Sequence, residues 1–64
     1  MRLILPDQRE LQLEVNQRTI EEILIGMSID PLTTLVSRGG EIIPEDTIPK
    51  EDDIIKIIQI SHGG

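Results

Sequence analysis

The rhythm of apolar and polar positions changes several times along the 64-residue chain, and each change marks an element. Residues 1–5, MRLIL, are a short apolar run that predicts a strand. A PDQR turn closes it, with Pro6 supplying a fixed φ of about −65°. Residues 10–15, ELQLEV, alternate strictly, with Leu11, Leu13 and Val15 on one face and Gln12 and Glu14 on the other. Period two predicts a half-buried strand, and the short turn before it makes the pair a hairpin. The period then becomes helical. In RTIEEILIGM, Ile20, Ile23, Leu24 and Met27 fall at i, i+3, i+4 and i+7, one stripe to be buried. Thr19 followed by Glu22 fits a capping box, and Glu21 and Glu22 lie in the first turn, where the helix dipole favours negative charge. Gly26 and Asp30-Pro31 limit the helix to about nine or ten residues within 19–28.

Beyond the helix, TTLVSRGGEII reads as strand, turn, strand, with Gly39 and Gly40 suited to the positive φ of a two-residue hairpin loop. Residues 44–53, PEDTIPKEDD, hold two prolines and five acids and predict a loop with room for a single helical turn. Residues 54–60, IIKIIQI, are the last and most apolar strand, which argues for a central place in the sheet. The order β-β-α-β-β-loop-β predicts an α+β fold, a mixed four- or five-stranded sheet with one helix packed across one face. The domain spans residues 1–60, and residues 61–64 are expected to be a flexible tail. In the last strand, alternation assigns Ile55 and Ile57 to the helix side and Ile54, Lys56, Ile58 and Ile60 to the outside. Lys56 supports that phase, because a lysine belongs on the wet face. The largely apolar outward face is therefore a candidate docking surface. Its alternative is that neighbouring side chains cover these isoleucines.

Composition narrows the function. A chain this short is one domain that buries only about 60% of its unfolded surface. Apolar content is 38% and wholly aliphatic, and there is no cysteine to form a disulfide or act as a nucleophile. No run approaches the length of a membrane span, so a soluble, cytoplasmic protein without membrane contact is expected. Net charge is −6, and six scattered Lys and Arg do not form the basic stripe that nucleic acid requires. A partner with a basic docking face fits that balance better. Catalytic groupings are lacking too. His62 is the single histidine, Ser28, Ser37 and Ser61 have no G-x-S-x-G context, and Gly39-Gly40 lacks the Lys-Ser/Thr ending of a phosphate loop. The carboxylates of residues 44–53 lack the spacing of a Ca²⁺ loop, so no metal is expected. The reading is a non-enzyme.

The ordered set of features (strand hairpin, Thr19-x-x-Glu22 helix, LVSRGGEIIPEDT, DDIIKIIQI and final Gly63-Gly64) resembles the ubiquitin-like β-grasp sulfur carriers. These include the thiamine-pathway carrier, the small subunit of molybdopterin synthase and the archaeal small modifiers. The resemblance implies parallel first and last strands at the sheet centre. It also implies a C-terminal chemistry. A partner activating enzyme uses ATP, which the carrier itself does not bind, to adenylate Gly64. Sulfur then replaces AMP to give a thiocarboxylate, with Gly63, Gly64 and His62 recognised as the tail. Ile58, Ile60, Ile54 and Lys56 would dock that enzyme. The sulfur would pass to a thiazole synthase, a molybdopterin-synthase large subunit or a tRNA base, or the activated end would join a lysine. The free carrier is expected to be monomeric. The other class left open is a ubiquitin-fold module that works by docking alone.

Overall fold

A computed structural model of the chain describes residues 1–60. The expectations for residues 61–64, including His62, Gly63 and Gly64, lie outside the described residues. Five strands and one α-helix follow in the order β1 (Arg2–Ile4), β2 (Glu10–Gln12), α1 (Ile20–Gly26), β3 (Thr34–Arg38), β4 (Glu41–Ile43) and β5 (Ile54–Gln59). A short 3-10 turn at Pro31–Thr33, which the sequence pattern did not announce, precedes β3. The strands form one mixed sheet in the order β2-β1-β5-β3-β4. The expected centre is present: β1 and β5 run parallel, with Leu3 opposite Ile55, and β5 pairs antiparallel with β3 on its other side.

Both hairpins follow from local chemistry. Pro6 and Asp7 turn the chain between β1 and β2, and the Gln8 amide donates to the Leu5 carbonyl. Gln8 takes φ 74° so that the Leu5 amide can bond the Arg9 carbonyl, the bulge that follows a type I turn. Between β3 and β4, Gly39 at φ 60° and Gly40 at φ 85° make the mirror-image turn whose twist matches the flanking strands. β2 ends three residues earlier than its alternation suggested. Its apolar phase nonetheless continues: Leu13 packs half-buried, Val15 is buried, and Leu13 and Met1 exchange backbone hydrogen bonds.

The helix begins as the capping box predicts. Thr19 Oγ1 accepts from the Glu22 amide at 3.1 Å, and Glu22 Oε1 accepts from the Thr19 amide at 2.9 Å. The Thr19 amide, and after it the Thr19 hydroxyl, which donates to Glu22 Oε1 at 3.1 Å, hold the Glu22 carboxyl below its ordinary range. Two further N-terminal amides are satisfied from elsewhere in the chain: Ile20 donates to the Thr47 carbonyl and Glu21 to the Glu45 carbonyl. The acidic loop is thus fastened to the start of the helix, and it is built from turns, without the helical turn for which there was room. The Glu45 carboxyl is raised, first by burial and then by Glu21 and Asp30 nearby.

The helix is seven residues long, shorter than expected. Its stop is Ser28, at φ 63°: the Ser28 amide bonds the Ile25 carbonyl and the Ile29 amide bonds that of Leu24. This is the double hydrogen bond of a Schellman end, with serine in the left-handed position that glycine usually fills. Ile20, Ile23 and Leu24 are buried against Leu3, Ile55 and Ile57 as the stripe requires. Met27, expected to be buried with them, is half-buried, because the chain has already left the helix there. No helix among the described residues is long and apolar enough to cross a membrane.

Two measurements test this account of the helix. Ser28→Gly removes a left-handed penalty of about 1 kcal/mol and gives back part of it as unfolded-chain entropy. The midpoint of urea unfolding should therefore rise slightly, whereas Leu24→Ala, at a fully buried site, should lose about 2–5 kcal/mol. The second is a pH dependence. A carboxyl raised on folding opposes the fold once pH exceeds its unfolded value, here 4.5. Glu45→Gln should stabilise the protein at neutral pH, and the gain should vanish as pH falls below that value in an acid titration of thermal midpoint. A gain that persists at low pH would show that packing, not charge, is responsible.

Candidate docking face

The helix covers one face of the sheet and leaves the other open, and alternation along β5 decides which residues lie on each. Ile55 and Ile57 are buried at 0% and 1% exposure, while Ile54 is 51% and Ile58 36% exposed, with Lys56 exposed between them. The structure therefore puts Ile54, Lys56 and Ile58 together on the open face, in the phase the lysine indicated. Ile60 lies one residue beyond β5 and is half-buried. Its amide donates to the Thr33 carbonyl at 2.8 Å, and the same oxygen accepts from Gln59 Nε2 at 3.0 Å.

Strand register extends this face beyond β5. Partners directly opposite in a ladder share a face, so Ile58 is joined by Leu35, Ile54 by Arg2, and Lys56 by Ile4 on one side and Ser37 on the other. Ser37 in turn opposes Ile42 on β4. Leu35 and Ile42 are 41% and 57% exposed, and sequence reasoning missed both. Their signal was the apolar doublet. In Leu35-Val36, Ile42-Ile43, Ile54-Ile55 and Ile57-Ile58, a strand must send one member to each side. With Ser37, the two glycines of the β3–β4 turn and Ile42, Ile54, Lys56 and Ile58 line one open groove. A β-carbon at either glycine would meet nothing within 4 Å, so the glycines are required by their backbone angles and not by close packing.

Charges frame the groove unequally. Arg2 lies 3.5 Å from Glu10 on the open face, both about half exposed. Arg38 meets Asp53 at 3.2 Å beside the start of β5. Asp53 is held below its ordinary range, chiefly by the Lys50 amide and also by the Arg38 guanidinium. Among the described residues Lys56 has no ion-pair partner.

Sheet order, parallel central pair and single crossing helix define a ubiquitin-like β-grasp protein. No model of a known protein family matches the chain. An uncharacterized protein of Archaeoglobus fulgidus is 31% identical over 58 residues, covering 91% of this chain and 85% of its own. The chain belongs to one family with that archaeal protein. It is also a distant homologue of the sulfur carrier protein TtuB of Thermus thermophilus, at 27% identity over 62 residues, 97% of this chain and 94% of the relative.

The face assignment is directly checkable. Ile58→Glu should lower stability by about 1 kcal/mol or less in urea unfolding, because its side chain already meets water. Ile57→Glu, which forces an unpaired charge into the core, should unfold the domain. Equal damage from both would reverse the assignment of the two faces.

Proposed function

We propose that the protein is a sulfur carrier that works at Gly64, with residues 1–60 as the handle and 61–64 as the working tail. Similarity to a sulfur carrier along nearly the whole chain carries the reading, and the β-grasp fold and the open apolar face support it. An activating enzyme transfers AMP from ATP to the Gly64 carboxylate and releases pyrophosphate. That step is needed because a carboxylate is a poor electrophile. The outer sulfur of a persulfide then attacks the acyl carbon, AMP leaves, and a second thiol attacks the inner sulfur of the resulting acyl disulfide, forming a disulfide with it. The thiocarboxylate remains on Gly64. Small residues at 63 and 64 let the end enter a narrow site, and the enzyme recognises His62 together with them.

The activating enzyme docks on Ile54, Lys56, Ile58 and Ile60, joined by Leu35 and Ile42. The loaded carrier hands sulfur to a second enzyme, a thiazole synthase or a molybdopterin-synthase large subunit, or to one that thiolates tRNA. Ligation of the activated end to a lysine would use the same intermediate. The chain is a cytoplasmic co-substrate and not itself a catalyst.

The mass of the intact protein isolated from its own host tests this reading, the expected signature being exchange of one oxygen for sulfur. Deletion of Gly64 should abolish adenylation, read as ATP–pyrophosphate exchange with the activating enzyme, and leave the unfolding midpoint almost unchanged. If the deleted chain supports its pathway as well as the full one, docking alone is the function.

A further inference from the structure

Lys56 is the only charged residue of β5, and its position is unusual for a solvated lysine. Along its own strand it stands between Ile54 and Ile58, and across the sheet between Ile4 and Ser37. The row continues outward to Glu10 on β2 and Ile42 on β4. Glu10 is the acid in that row, two strands away and so about 9–10 Å at the backbone, and it is engaged by Arg2. The strands thus present Arg2, Lys56 and Glu10 on this face, a net positive charge in a chain of net charge −6. Most of the chain's acids lie off these strands, around the helix start and in residues 44–53, of which Glu51, Asp52 and Asp53 flank the Arg2–Ile54 end of the face.

A partner that covers Ile54 and Ile58 must also take Lys56 out of water. An ammonium buried without a counter-charge costs several kcal/mol, so a purely apolar partner would be rejected by its own desolvation of the lysine. A second copy of this chain is also disfavoured. A two-fold contact through this face would bring patch against identical patch, and both copies would bury the same charge.

We infer that Lys56 sets the chemistry of the partner: the surface that docks on this face is apolar and carries a carboxylate that pairs with Lys56. The inference rests on the docking role proposed above for the face. It reverses the expectation, drawn from net charge alone, of a partner with a basic docking surface. Lys56 is here a specificity residue, selecting the partner by charge within an apolar contact.

The test is the carrier concentration dependence of ATP–pyrophosphate exchange with the host's ATP-dependent activating enzyme, after urea unfolding has verified that each variant folds. Lys56→Glu should raise KM for the carrier about 30-fold or more with kcat little altered, since like charges then meet in the interface. Lys56→Met keeps the aliphatic stem, so it should raise KM by about tenfold and flatten its salt dependence. Lys56→Arg should recover most of the affinity. If Ile58→Glu raises KM while Lys56→Glu leaves it within about twofold, the charge inference falls and the docking face stands. If neither changes KM, the docking role of the face falls and the inference with it. If the wild-type chain supports no exchange, the carrier reading itself is wrong. Sedimentation showing a wild-type dimer that Ile58→Glu dissociates would make a second copy the occupant and overturn the inference.

Discussion

A sheet has two faces, and a helix of seven residues can cover only one of them. Among the described residues no second α-helix lies on the other side. The core is therefore a single layer between α1 and the inner face, with Leu3, Leu24 and Ile55 all at 0% exposure. Everything outside that layer must be stable in contact with water or be reserved for contact with something else. The outer face resolves this in a mixed way. It exposes Leu35, Ile42, Ile54 and Ile58, and interrupts them with Lys56, Arg2 and Ser37. A wholly apolar face would invite sheet-on-sheet aggregation.

The helix does more than lie across the sheet. Its first amides are held by carbonyls of the loop that leads into β5, through Ile20 to Thr47 and Glu21 to Glu45. The same stretch reaches the sheet at Asp53, whose carbonyl accepts from the Arg2 amide and whose carboxylate accepts from Arg38. Helix start, loop and the β1–β5 junction are thus one hydrogen-bonded unit. The acidic loop, read from sequence as a plain connection without a metal site, straps the start of the helix to the head of the central strands. Its backbone does much of the holding, joined by the carboxylates of Asp53, which accepts from Arg38, and Glu51, which accepts from the Val15 amide.

Much of this was legible because the residues concerned act locally. The capping box at Thr19 and Glu22, the paired glycines of the β3–β4 turn and the phase of β5 each depend on a few neighbours in sequence. The helix end was placed too late for the opposite reason. Gly26 and Asp30-Pro31 were read as limits of a helix within 19–28, but α1 ends at Gly26, because Ser28 is left-handed and Ile29 turns back onto the core. Leu35 and Ile42 were missed because an apolar doublet does not say which member faces the helix until the register with β5 is fixed. The central place of the parallel pair came from family resemblance, since no local signal fixes strand order. Net charge was silent in the same way: it has no location, and it does not say that Lys56 stands on the open face between Ile54 and Ile58.

The Thr33 carbonyl that holds both Gln59 and Ile60 has a mechanical consequence. β5 runs in the same direction as β1 and lies between it and β3. Tension applied to the chain beyond Ile60 first meets that doubly occupied carbonyl and then loads the ladders on both flanks lengthwise. Such a load has to break many bonds together, unlike the one-by-one peeling of an edge strand. An enzyme that grips the end and draws it inward can therefore pull on the protein without unravelling it, and the force passes to the whole sheet through its middle strand.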